Sequence, residues 1–103
     1  MTPRIPIPHE QIAAFCQKWK ITEFSLFGSV LRDDFRPDSD VDVLVTFAPD
    51  AKWTLFDIVD MQVELSELFG RKVDLAERPG VERSRNPERR TAILSSVYPI
   101  YGS

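Results

Sequence analysis

Phe24-Ser25-Leu26-Phe27-Gly28-Ser29, ten residues from Val30 to Ser39, then Asp40-Val41-Asp42-Val43-Leu44-Val45: this stretch decides the fold. Ile21 to Phe27 reads as a short strand stopped by Gly28. Val41, Val43 and Val45 alternate with Asp40, Asp42 and Leu44, which is the period-two pattern of a strand with one apolar face. The other face opens with two acids. Aspartate is disfavoured in strands, so two at one strand start need a chemical reason. A third strand-like run, Lys72 to Ala76, carries Asp74 at its centre.

Three carboxylates on one sheet face repel one another. Two charges about 4 Å apart cost about 4 kcal/mol at an effective dielectric near 20. Such a cluster calls for a cation, and oxygen donors of this kind suit magnesium. Gly28 lets backbone amides approach a phosphate, and the Ser29 hydroxyl adds a donor. Arg32, and less clearly Arg36, are candidates to reach triphosphate oxygens.

Other chemistries fail on spacing. Asp38, Asp40 and Asp42 match the first, third and fifth positions of a calcium loop, but Val43 and Pro49 stand where glycine and glutamate are required. No phosphate-binding G-x-x-x-x-G-K-[ST] loop occurs. His9 is the sole histidine and reads as an exposed residue of the lead-in, which removes a Ser-His-Asp hydrolase.

Working outward, Ile12, Phe15, Cys16 and Trp19 fall at helical spacing and form one apolar stripe. Thr54 with Asp57 three residues on predicts a capped helix running to Phe69, with Gly70 as its left-handed stop. That helix is expected to bury Leu55, Ile58, Met61 or Gln62, Leu65, Leu68 and Phe69. Glu77 to Arg85 reads as a mobile loop. Asn86-Pro87 starts a last helix that presents Ile93, Leu94 and Val97 and extends toward Tyr98, Ile100 and Tyr101. The expectation is a single α/β domain over 1–103 with an extended lead-in at 1–8. It has a three-stranded mixed sheet, helices packed on one face and acids on the other.

The totals fit one small globular domain: 103 residues, 43% hydrophobic, net charge −3 and a pI near 5.1. The acidic balance argues against direct nucleic-acid binding. A lone Cys16 excludes an internal disulfide, suits a reducing cytoplasm and reads as core packing. No stretch approaches the roughly 18 apolar residues of a membrane span, and the proline-rich start lacks a secretory signal's apolar run.

Gly28-Ser29-Val30-Leu31-Arg32 followed by Pro37-Asp38-Ser39-Asp40-Val41-Asp42-Val43-Leu44-Val45 resembles the minimal nucleotidyltransferase family, a branch of the DNA-polymerase-β-like superfamily. The third aspartate strand and Asn86-Pro87-Glu88-Arg89-Arg90 with Ile93-Leu94 extend the likeness from about Glu10 to Tyr101. Leu31 departs from the alanine common there. The resemblance implies a polymerase-β-like fold and an antitoxin that moves AMP from ATP to a tyrosine of a HEPN-domain ribonuclease toxin, silencing it. It implies two magnesium ions between Asp40, Asp42 and Asp74, with Gly28, Ser29 and Arg32 on the triphosphate. The alternatives are an antitoxin that inhibits the HEPN toxin by contact alone, and a transferase acting on a small molecule or RNA. About 100 residues leave no room for an acceptor-gripping domain, so the acceptor is expected on a partner surface, with Trp53, Phe56, Ile100 and Tyr101 as candidate contacts.

Overall fold

The structure is a computed structural model that describes residues 7–28, 39–83, 85–94 and 97–102. The element order is α1 (His9–Lys18), β1 (Ile21–Phe27), β2 (Val41–Phe47), α2 (Leu55–Phe69), β3 (Val73–Glu77), α3 (Arg78–Glu82), α4 (Pro87–Leu94) and β4 (Tyr98–Tyr101). The strands form one mixed sheet in the order β3-β2-β1-β4. β1 runs antiparallel to β2 and β4, and β2 runs parallel to β3. The parallel pair needs a crossover, and α2 supplies it.

Alternation along β2 sorts the molecule into layers. Val41, Val43 and Val45 are fully buried with Phe24, Leu26 and Val73 against Ile12, Phe15 and Cys16 of α1 and Met61 and Leu65 of α2. This is the main core, and α1 and α2 lie on that face as expected. Leu44 points the other way and gathers Val81 of α3 and Ile93 of α4. A smaller helical layer therefore covers part of the acid face as well.

Helix α2 ends where its caps dictate. Thr54 and Asp57 complete a reciprocal capping box, and Gly70 closes the helix at φ 70°. Its burial is narrower than expected. Met61 and Leu65 are buried and Ile58, Leu68 and Phe69 partly so, whereas Leu55 is 78% exposed.

Two stretches differ from the sequence expectation. Residues 78–82 of the presumed mobile loop form α3, with Pro79 in its first turn, where its missing N–H costs nothing. Residues 98–101 form β4 instead of continuing the last helix, which makes the sheet four-stranded. Pro99 blocks an extended helix there and is tolerated because β4 is an edge strand.

The opposite edge is sealed. The outward N–H of Val73 donates to Ser66 Oγ at 3.1 Å, and that of Leu75 to Gln62 Oε1 at 3.0 Å. Side chains of α2 thus satisfy donors that an edge strand normally offers to another chain.

Candidate active site

The acids meet through strand register. Asp42 of β2 and Asp74 of β3 are direct partners in the parallel ladder, and Phe27 of β1 lies opposite Asp42 on the other side. Paired residues of parallel strands project to the same face about 4.8 Å apart at the backbone. Asp40, two residues before Asp42, belongs to that face by the period of two. Asp42 is half-buried and Asp74 exposed.

Gly28 lies at the exit of β1 with φ +78°, and a Cβ built there collides with Asp42 Oδ2. Both facts demand glycine: the backbone is left-handed, and the carboxylate of Asp42 fills the space a side chain needs. The expected juxtaposition of Gly28 with the Asp-x-Asp strand is thereby present. Ser29 and Arg32, the other expected nucleotide contacts, lie outside the described residues, as does Arg36.

A groove of about 530 Å³ opens beside the strands. Asp40, Asp74 and Lys72 line its sheet side, and Val59, Val63 and Glu67 of α2 line the other. The Lys72 ammonium stands 3.9 Å from Asp40 Oδ2, with both side chains largely in solvent. An ion pair this exposed contributes little stability. It places a positive charge beside the Asp40 carboxylate.

The donor set fits a hard divalent cation: carboxylate oxygens from neighbouring strand positions, with no nitrogen or sulfur ligand among them. Among the described residues, however, no three acids are gathered tightly enough to form a ready-made metal cluster. The backbone brings Asp40, Asp42 and Asp74 together, while their side chains are not drawn to one point.

Of the four expected acceptor contacts, three are partly buried against the main core. Trp53 packs edge-on against Trp19 at 5.1 Å between ring centroids and donates its indole N–H to the Trp19 carbonyl. Ile100 and Tyr101 lie in β4 against the main core. Phe56 alone is free, at 84% exposed. Lys72 and the groove wall of α2 were not singled out by the sequence reading. Their signal is present in α2, whose apolar residues at 55, 56, 58, 59, 61, 63, 65, 68 and 69 are too many for one buried stripe.

Comparison with known proteins shows the family and the fold. The family model described as "Nucleotidyltransferase domain" matches residues 9–97. A solved structure assigned as a minimal nucleotidyltransferase is 31% identical, with a TM-score of 0.67 over 88% of this chain and 87% of that one. The chain therefore belongs to the nucleotidyltransferase domain family and has the minimal form of its fold. It is similar to the protein adenylyltransferase MntA of Thermococcus cleftensis, at 34% identity over 57% of this chain and 58% of that protein. The curated relatives are matched over 58 to 60% of their length. The fold also matches a complex of the tri-AMPylated HEPN toxin of Shewanella oneidensis with its MNT antitoxin. That match has a TM-score of 0.62 and 18% identity, covering 92% of this chain and 70% of the other. No helix among the described residues is long and apolar enough to cross a membrane.

Proposed function

We propose that this chain is an antitoxin that transfers AMP from ATP to a tyrosine of a partner HEPN-domain ribonuclease and so silences it. The observation that carries the reading is the register of Asp42 with Asp74, with Asp40 on the same strand face and Gly28 against Asp42. The adenylyltransferase relatives and the AMPylated HEPN complex support the acceptor class.

In the reaction the tyrosine oxygen attacks the α-phosphorus. The bond from that phosphorus to the bridging oxygen breaks, and pyrophosphate leaves with the electron pair. Asp40, Asp42 and Asp74 would hold two magnesium ions, which neutralise the triphosphate and lower the pKa of the attacking hydroxyl. Gly28 leaves room for the Asp42 carboxylate at the exit of β1 and would turn its backbone amide to the triphosphate, whose oxygens Ser29 and Arg32 would contact. Asp74, exposed at the groove, takes the hydroxyl proton. The protein's share is positioning and charge neutralisation, as in phosphoryl transfer generally.

The test uses purified chain, labelled ATP, magnesium and the product of the neighbouring gene, taken as the candidate HEPN-domain toxin. Label on a toxin tyrosine, absent with Asp42→Asn or with excess chelator, is the expected result. Inhibition of the ribonuclease without label would replace the enzyme with a stoichiometric blocker.

A further inference from the structure

The described surface holds one large apolar feature that the core does not use. Leu55, Phe56, Val59 and Val63 are 78, 84, 47 and 54% exposed, all on α2. Leu55, Val59 and Val63 repeat every four residues, and Phe56 lies beside Val59 at a spacing of three, so the four form one row. The row extends about 12 Å, at 1.5 Å per residue. Its far end reaches two acids of the candidate active site: Val59 and Val63 are also the wall of the groove that Asp40 and Asp74 line, with Asp42 and Gly28 beyond that lining.

We infer that this row is the docking track for the acceptor protein, whose basic, aliphatic segment lies along α2 and sends its tyrosine into the groove. The tyrosine rests on the function proposed above; the track stands on its own geometry. Val59, Val63 and Val73 offer the ring apolar walls, and the carboxylates of Asp40 and Asp74 stand where its hydroxyl needs a polar end.

Charge selects the partner. Helix α2 carries Asp57, Asp60, Glu64 and Glu67 and no basic residue. Asp57 is engaged in the capping box, and Glu64 binds Lys18 and the Trp19 indole across to α1. Asp60 and Glu67 remain exposed along one flank of the row, Asp60 four residues after Phe56 and Glu67 four after Val63. An apolar row with an acidic border fits a partner with aliphatic side chains flanked by lysine or arginine. A second copy of this chain fits poorly, because a twofold contact sets one acidic flank against the other. Strand addition at the adjoining edge is blocked, since Ser66 and Gln62 already bind the outward amides of β3.

Binding of the candidate HEPN-domain toxin, in a ribonuclease-dead form, is measured by calorimetry for wild type, Phe56→Glu, Asp60→Lys and Asp42→Asn. Phe56→Glu is expected to weaken the complex at least about tenfold, as loss of an interface anchor does. Asp60→Lys is expected to weaken it less and to flatten its salt dependence. Asp42→Asn is expected to bind like wild type. Unchanged thermal melting of Phe56→Glu shows that the fold is intact. A wild-type affinity for Phe56→Glu overturns the track, as does a wild-type homodimer that Phe56→Glu disperses. If Phe56→Glu loses the complex while wild type transfers no label, the track stands and adenylyl transfer fails.

Discussion

Asp40 and Lys72 show how little of this site is held in place for stability. Their contact is 3.9 Å, with the lysine side chain 79% exposed. Asp40→Asn is therefore expected to shift unfolding free energy by no more than about 1 kcal/mol, while abolishing AMP transfer. A loss of several kcal/mol in chemical denaturation would mark the residue as structural. Gly28 behaves in the opposite way. Gly28→Ala meets both a left-handed backbone and the Asp42 carboxylate, so it is expected to cost at least about 1 kcal/mol and transfer together. Cys16 is fully buried, and desolvation pushes its thiol up to about 12. An unfolded thiol titrates near 8.5. The folded value is the higher one, so the stability this thiol contributes is complete below pH 8.5 and is lost as pH rises toward 12. Cys16→Ala is expected to flatten the alkaline limb of a pH–stability curve, and native Cys16 to resist alkylation at pH 8. At this scale the sequence was informative at Gly28, where the left-handed backbone and the Asp42 carboxylate force the residue type, and it put Asp42 and Asp74 on strands that the structure pairs. It was silent on Lys72, whose role depends on a neighbour 32 positions away in the chain.

Helix α2 has two faces with different tasks, and adjacent substitutions separate them. Met61 is fully buried, so Met61→Ala is expected to cost about 2–5 kcal/mol. Val63, two residues on and 54% exposed, should cost within about 0.5 kcal/mol on the same change. Equal losses in urea titration would contradict the assigned face. Thr54→Ala, which breaks the capping box, is expected to cost about 1 kcal/mol. The start and stop of α2 were legible because caps are local chemistry. Its buried face was only half legible, since an apolar residue such as Leu55 can serve a core or a partner equally. The same ambiguity explains β4: Tyr98, Ile100 and Tyr101 are apolar enough for either state, and pairing with β1 decides. Local pattern could not reveal α3 either, because its five residues depend on Val81 packing against Leu44.

The whole molecule is a frame that sets two carboxylate-bearing strands in parallel register. Everything else follows from that requirement. The α2 crossover makes β2 and β3 parallel, the valines of β2 anchor one face in the core, and the alternation they impose turns Asp40 and Asp42 outward beside Asp74. Three acidic strand positions were legible, but the pairing of β2 with β3 and the opposition of Asp42 and Asp74 appear only in three dimensions. The central claim is that Asp40, Asp42 and Asp74 share bound metal once a triphosphate is present. Manganese, as a paramagnetic stand-in for magnesium, can be titrated into the protein with a non-hydrolysable ATP analogue and followed by electron paramagnetic resonance. Tight binding by wild type, weakened at least about tenfold by each of Asp40→Asn, Asp42→Asn and Asp74→Asn, is the predicted result. Wild-type manganese affinity in the Asp42→Asn and Asp74→Asn proteins would contradict it.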